Sequence, residues 1–137
     1  MTAKLLMVLS ASIIFILGVT HLVYTFLGTG LTPRSPALRL SMTSTSPVLT
    51  NETIMWRCWI GFNATHSMVL ILFGVIYGYF ALAHYQLLFR SPFLLPVGFV
   101  TLACLVVLCK PYFFRAPLIG GVVSLVAYVL GIAGSRS

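Results

Sequence analysis

The chain has 137 residues, of which 60% are hydrophobic and 7% are charged, with a formal net charge of +7. Soluble domains carry about 25% charged residues, so this chain could not cover a water-facing surface. The Lys and Arg residues stand singly at the ends of apolar segments and form no basic run. That pattern is typical of membrane-interface anchors and argues against a nucleic-acid partner.

Four apolar segments are long enough to cross a bilayer, which takes about 20 helical residues each. They predict an all-α integral membrane protein in a single membrane domain, with spans over about 5–27, 58–85, 93–109 and 117–133. Short second and third connections make neighbouring spans antiparallel, so the prediction is a four-helix antiparallel bundle with both termini on one side. Three Lys and Arg residues fall on the side of the termini and five on the side of the long first loop, so the positive-inside rule favours a cytoplasmic long loop by only two charges and leaves the orientation open.

The long polar segment between the first two spans is rich in Ser, Thr and Pro. Ser35 precedes Pro36, and a Ser N-cap followed by proline at the first helical position is a strong helix start. A short helix is therefore predicted over about 36–42, lying at the membrane interface. Leu38 and Leu40 would dip into the apolar layer.

A second helix start is expected near Pro47 or Thr50, leading into the second span. Glu52 is the only acidic residue of the chain. In the first turn of that helix its charge would be favoured by the helix dipole. The alternative is a salt bridge, for which the sequence offers Arg34, Arg39, Lys110 and Arg115.

Small and polar residues recur at helical spacing in three spans. In the first span they are Gly18, His21, Thr25 and Gly28. In the second, one side carries Trp59, Asn63, His66, Tyr77, Ala81 and His84, with Ser67, Gly74 and Gly78 at its edge. In the fourth they are Gly120, Ser124, Ala127, Gly131 and Gly134. Lipid offers polar groups no hydrogen-bond partner, so these faces are predicted to meet other helices. The predicted helix-packing glycines are Gly18, Gly74, Gly78, Gly120 and Gly131. The lipid bilayer is one predicted partner. The glycine-bearing faces also suggest that the chain forms a homo-oligomer or belongs to a larger membrane complex.

The two intramembrane histidines are expected at one depth. His21 precedes the end of the first span by about six residues, and His66 follows the start of the second by about seven. At 1.5 Å per residue both lie roughly 10 Å below the same surface. The predicted pocket residues are His21, Tyr24, Thr25, Trp59, Asn63, His66, Cys104 and Ser124. The predicted rim above them is Glu52, Lys110, Tyr112 and Arg115.

Three interpretations of this cluster stay open. Each histidine could be a structural group that is hydrogen-bonded across a helix interface. Polar and ionisable groups inside a membrane also suggest a pocket for a small molecule or a lipid. Finally, His21 and His66 could ligate haem or a metal, although no carboxylate lies nearby and no haem-attachment motif is present. The expectation is that no cofactor is bound.

Three functions are compatible with these features. The leading hypothesis is a binding or accessory protein whose His/Asn-lined polar site lies in one leaflet. The second is a membrane-embedded enzyme acting on a lipophilic substrate through a His-bound cofactor or through His66 as acid–base. The third is an accessory subunit of a larger complex. The sequence contains none of the common nucleophile, metalloprotease or phosphate-loop motifs.

His21-Leu22-Val23-Tyr24 in the first span is paired with a second segment, Trp59-Ile60-Gly61-Phe62-Asn63-Ala64-Thr65-His66-Ser67. Together they resemble a family of small, mostly bacterial, four-span integral membrane proteins with a GFN-x-[ST]-H pattern. The resemblance extends over nearly the whole chain, including the turn at 110–114. In that family Ser is more usual where this chain has Thr65, which keeps the hydroxyl. The resemblance implies a four-span fold and a membrane location, and it implies no activity.

Overall fold

The computed structural model describes residues 2–136, which are helical with short connections and contain no strand. Four of the helices are long and apolar enough to cross a membrane. An apolar helix of that length satisfies its own backbone hydrogen bonds, as a bilayer requires. A multi-pass membrane protein is therefore supported. The six helices are α1 Thr2–Phe26, α2 Pro36–Ser44, α3 Met55–Ala83, α4 Tyr85–Arg90, α5 Leu94–Tyr112 and α6 Arg115–Arg136.

The long helices overlap the four predicted spans, and each end differs from its predicted position by one to three residues. The second predicted span continued to 85, but the helix breaks at His84, whose φ of −133° and ψ of 47° are not helical. The short helix α4 begins immediately after the break. The third span was predicted to stop at 109, whereas α5 continues to Tyr112 with Pro111 inside it. A proline in the last turn removes one hydrogen bond, and the Phe113 amide still reaches the Cys109 carbonyl at 3.1 Å.

The polar segment after α1 contains the predicted short helix. Ser35 is the N-cap of α2, and its hydroxyl accepts a hydrogen bond from the Leu38 amide at 3.3 Å. The expected second helix start near Pro47 or Thr50 is wrong, because these residues form a turn in which the Thr50 amide donates to the Pro47 carbonyl. The next helix, α3, begins only at Met55.

Glu52 accordingly lies in the bend before α3 and not in the first turn of a helix. Its backbone amide donates to the Thr50 hydroxyl at 3.1 Å, and its side chain is exposed. An exposed carboxylate outside the first turn gains little from the helix dipole, which acts over about one turn.

The helices divide into two compact units, each described by itself. The larger unit comprises residues 2–17 and 70–136, and its core is apolar. Met7, Leu102 and Tyr128 are fully buried there. Gly74 allows a close approach of α3 to the backbone of α1 within this unit. A Cβ at Gly74 would lie 2.8 Å from the carbonyl oxygen of Ala11. Only glycine lets α3 pass α1 at that separation.

Two tyrosines fix the start of α5 inside the larger unit. The Tyr77 hydroxyl donates to the Leu94 carbonyl at 2.7 Å, and the Tyr128 hydroxyl donates to the Leu95 carbonyl at 2.9 Å. The two rings meet edge to face, with centroids 5.9 Å apart. Gly98 lies against both rings. In an apolar layer these bonds satisfy hydroxyl groups that lipid could not.

The smaller unit, Gly18–Val69, joins the second half of α1, the polar segment with α2, and the first part of α3. Three contacts fold the polar segment back onto α3. The Trp59 indole donates to the Leu31 carbonyl at 2.9 Å. The Met55 amide donates to the Thr45 carbonyl at 2.9 Å. The Arg39 guanidinium lies over the Trp56 ring, 5.3 Å from its centroid.

Candidate functional site

The smaller unit brings two imidazoles into contact. His21 projects from α1 and His66 from α3, and their ring centroids are 5.3 Å apart with an interplanar angle of 74°. Both rings are half-buried. Both rings stand on helices that are long and apolar enough to cross a membrane. The pair is therefore a polar feature of largely hydrophobic helices.

A chain of hydrogen bonds links His21 to Ser67 and Asn63. The Ser67 hydroxyl donates to the Asn63 carbonyl at 2.8 Å, which uses its one proton. The Ser67 oxygen also lies 2.8 Å from Nδ1 of His21. Either neutral tautomer of the ring can form this bond: Nδ1–H donates when the Ser67 proton stays on the Asn63 carbonyl, and a bare Nδ1 accepts when that proton turns toward the ring. In the first tautomer Nε2 carries a lone pair.

Other polar side chains of this region are tied to their own helices. The Asn63 amide donates to the Trp59 carbonyl at 2.7 Å, and the Thr25 hydroxyl donates to the His21 carbonyl at 2.8 Å. Such bonds to the preceding turn satisfy polar groups without a partner helix. Asn63, Ser67 and Thr25 are all buried. Their hydrogen bonds hold these three side chains in fixed positions next to the two imidazoles.

The smaller unit also contains an open pocket of about 290 Å³. Its walls come from the end of α1, the following loop, α2 and the first turns of α3. Arg39 is its one charged side chain. The lining residues are Tyr24, Thr25, Phe26, Gly28, Thr29, Leu31, Thr32, Arg39, Trp56 and Ile60.

The predicted pocket residues fall into two groups. His21, Tyr24, Thr25, Trp59, Asn63 and His66 belong to the smaller unit, whereas Cys104 and Ser124 belong to the larger one. Ser124 is fully buried, and its hydroxyl donates to the Ser10 carbonyl at 3.0 Å. Cys104 is exposed on α5. The predicted rim residues Glu52, Lys110, Tyr112 and Arg115 are all exposed, the first in the smaller unit and the others in the larger.

The imidazole pair has no third metal-ligating side chain beside it among the described residues. Within residues 2–136, no three His, Cys, Asp or Glu side chains come together as a metal site would need. A haem held by both rings would require a macrocycle between them. The edge-to-face contact of His21 and His66 leaves no room for one in this arrangement.

Three residues of this region were missed or only partly predicted from the sequence. Ser67 appeared only at the edge of the predicted polar face, although it is fully buried and bonds to His21. Its position one turn after Asn63 was the available signal, since residues four apart share a helix face. Arg39 and Trp56 were not predicted in a pocket. Their contact depends on how the polar segment folds back, which no helical periodicity describes.

Comparison of the chain with models of known protein families, with curated proteins and with solved structures gave no match. The resemblance to the small four-span family therefore stays a prediction.

Proposed function

We propose that the protein is a four-span antiparallel bundle that binds a lipophilic molecule through a polar group held at His21 and His66. Helix α2 lies at the membrane interface in this proposal. The four long apolar helices support the spanning part. Leu38 and Leu40 on α2 are 53% and 70% exposed, which supports contact of that helix with an apolar layer.

The observation that carries the proposal is the contact of two half-buried imidazoles, His21 and His66, on helices that are apolar enough to cross a membrane. Ionisable groups at such a level are costly in hydrocarbon and mark binding sites. In this proposal His21 carries its proton on Nδ1, toward Ser67, and offers the lone pair of Nε2 to a ligand hydroxyl or N–H.

The chemistry of the site limits the ligand class. Nε2 of His21 accepts a hydrogen bond, so the ligand must offer a hydroxyl or N–H donor. The surrounding helices are apolar, so the rest of the ligand must be hydrophobic. The neighbouring His66 ring gives the ligand head an aromatic edge or face to pack against. A hydroxylated or amine-bearing lipophile fits these conditions.

The test measures which small molecules remain bound to the purified protein. Protein is extracted in a mild detergent, and its retained lipophiles are identified by native mass spectrometry. In the variant His21→Asn, an amide N–H replaces Nδ1–H next to Ser67, and the Nε2 acceptor is lost. Loss of one hydrogen bond is worth about 1–1.5 kcal/mol, so we expect about tenfold weaker retention.

His84→Asn is the matched control, because His84 is exposed and its Nε2 pairs with the Tyr79 hydroxyl at 3.1 Å. The control should retain as much ligand as the wild type. Equal retention by wild type and both variants would overturn the proposal. So would a wild-type protein that retains nothing beyond bulk phospholipid. Thermal unfolding of each variant separates a lost ligand from a lost fold.

A further inference from the structure

The composition offers the cations of this chain few acidic partners. Eight Lys and Arg residues face a single acidic residue. Within residues 2–136, the interaction that Arg39 makes through its guanidinium is the contact with the Trp56 ring at 5.3 Å. A ring contact uses the face of the guanidinium and leaves its N–H donors in the plane unused. Trp56 thus orients the Arg39 side chain, and the guanidinium N–H groups can donate hydrogen bonds to a ligand.

The pocket lined by Arg39 has the size of a headgroup. Its volume of about 290 Å³ is at the lower limit of the range of about 300–1,000 Å³ that is typical of small-molecule sites. The pocket lies at the end of α1 and the beginning of α3. The ends of membrane spans are the level at which phospholipid headgroups lie.

Two threonines of the pocket determine which hydrogen-bonding groups a ligand must carry. Thr25 donates its proton to the His21 carbonyl, and Thr32 donates to the Thr29 carbonyl at 2.6 Å. These hydroxyls can therefore offer a ligand only acceptor oxygens. A ligand with hydroxyl groups beside its phosphate would donate to them. Arg39 would hold the phosphate through two parallel N–H bonds, the geometry that guanidinium favours.

We propose that this pocket binds the headgroup of an anionic phospholipid whose phosphate carries a polyol, such as glycerol. The lipid chains lie outside the pocket, along the apolar helices. This site goes beyond the imidazole pair and does not depend on it, because none of the atoms assigned to the headgroup belongs to His21 or His66.

The test compares phosphatidylglycerol with phosphatidylcholine on full-length protein in detergent, with bound lipid counted by native mass spectrometry. The expected result is about tenfold tighter retention of phosphatidylglycerol, which corresponds to about 1.4 kcal/mol. Arg39→Gln should abolish that preference. Arg39→Lys should restore part of it, since a single ammonium keeps the charge and loses the bidentate geometry.

Arg34→Gln is the matched control, because Arg34 is an exposed cation of the same segment and does not line the pocket. It removes the same charge and should keep the preference. Equal losses in the two Gln variants would show diffuse attraction and overturn the site. Binding of soluble glycerol 3-phosphate as tight as that of the lipid would overturn the assignment to a membrane lipid. His21→Asn should keep the phosphatidylglycerol preference, so failure of the imidazole site and failure of this pocket are distinguishable.

Discussion

Gly98 offers the sharpest test of how the larger unit is packed. A Cβ at this position would lie 2.7 Å from Cε1 of Tyr77 and 2.7 Å from Cζ of Tyr128, and still closer to the Tyr128 hydroxyl. Neither ring can move aside easily. Tyr128 is fully buried, and both hydroxyls are bonded to carbonyls of α5. Gly98→Ala must therefore push on two fixed side chains.

The magnitude follows from three contributions. Overpacking of a filled core costs about 1–3 kcal/mol. Weakening a hydrogen bond between membrane helices costs about 0.6 kcal/mol. Alanine is the better helix former by about 1 kcal/mol, which offsets part of this. The net expectation for Gly98→Ala is a loss of roughly 0.5–2.5 kcal/mol in the free energy of unfolding.

Gly61→Ala is the control, because a Cβ there has nothing within 4 Å. It adds the same methyl group to a helix of the same kind and should be neutral or stabilise by up to about 1 kcal/mol. Reversible unfolding of each variant in mixed micelles, followed by circular dichroism, measures both effects. If Gly98→Ala proved as stable as Gly61→Ala, the description of the packing around Tyr77 and Tyr128 would be refuted.

Two further variants probe side-chain hydrogen bonds. Trp59→Phe removes the indole bond to the Leu31 carbonyl, so amide exchange in the loop after α1 should accelerate while the unfolding midpoint changes little; an unchanged exchange rate would contradict this role. Ser124→Ala removes the hydroxyl that bonds to the Ser10 carbonyl at 3.0 Å and pairs with the Ser10 hydroxyl at 2.9 Å, and it should cost about 0.6–1.7 kcal/mol. Adding Ser10→Ala should recover part of that cost, because it removes the Ser10 hydroxyl that the first change leaves without this partner. Additive costs in an unfolding titration would argue against a coupled pair.

The spans could be predicted because membrane solvation imposes strong rules. Long apolar runs and their cationic ends locate four helices within a few residues of where they lie. The break at His84 could not be predicted, since nothing in an apolar pattern distinguishes one long helix from a helix followed by a short one. The start of α3 was also missed. Proline after serine indicates a helix start or a turn, and at Pro47 the local hydrogen bond selects the turn.

The site was predictable only where helical periodicity and depth apply. Equal distances from the span ends indicated that His21 and His66 share a level, and the structure places their rings in contact. Helical spacing alone did not show that Ser67 would be the residue bonded to His21. The pocket at Arg39 depends on the path of a polar segment through a turn and a capped helix. Such a path is set by tertiary contacts, here those of Trp56 and Trp59.

The availability of Nε2 on His21 can be measured directly by ¹⁵N NMR of histidine-labelled protein in bicelles. Nitrogen shifts and one-bond proton couplings identify which ring nitrogen is protonated. The proposed site requires a His21 ring with a proton on Nδ1 and a bare Nε2, whose resonance shifts when a hydroxylated lipophile is added. A protonated Nε2, or an Nε2 resonance that no hydroxylated or amine-bearing lipophile moves, would contradict a binding site at the imidazole pair.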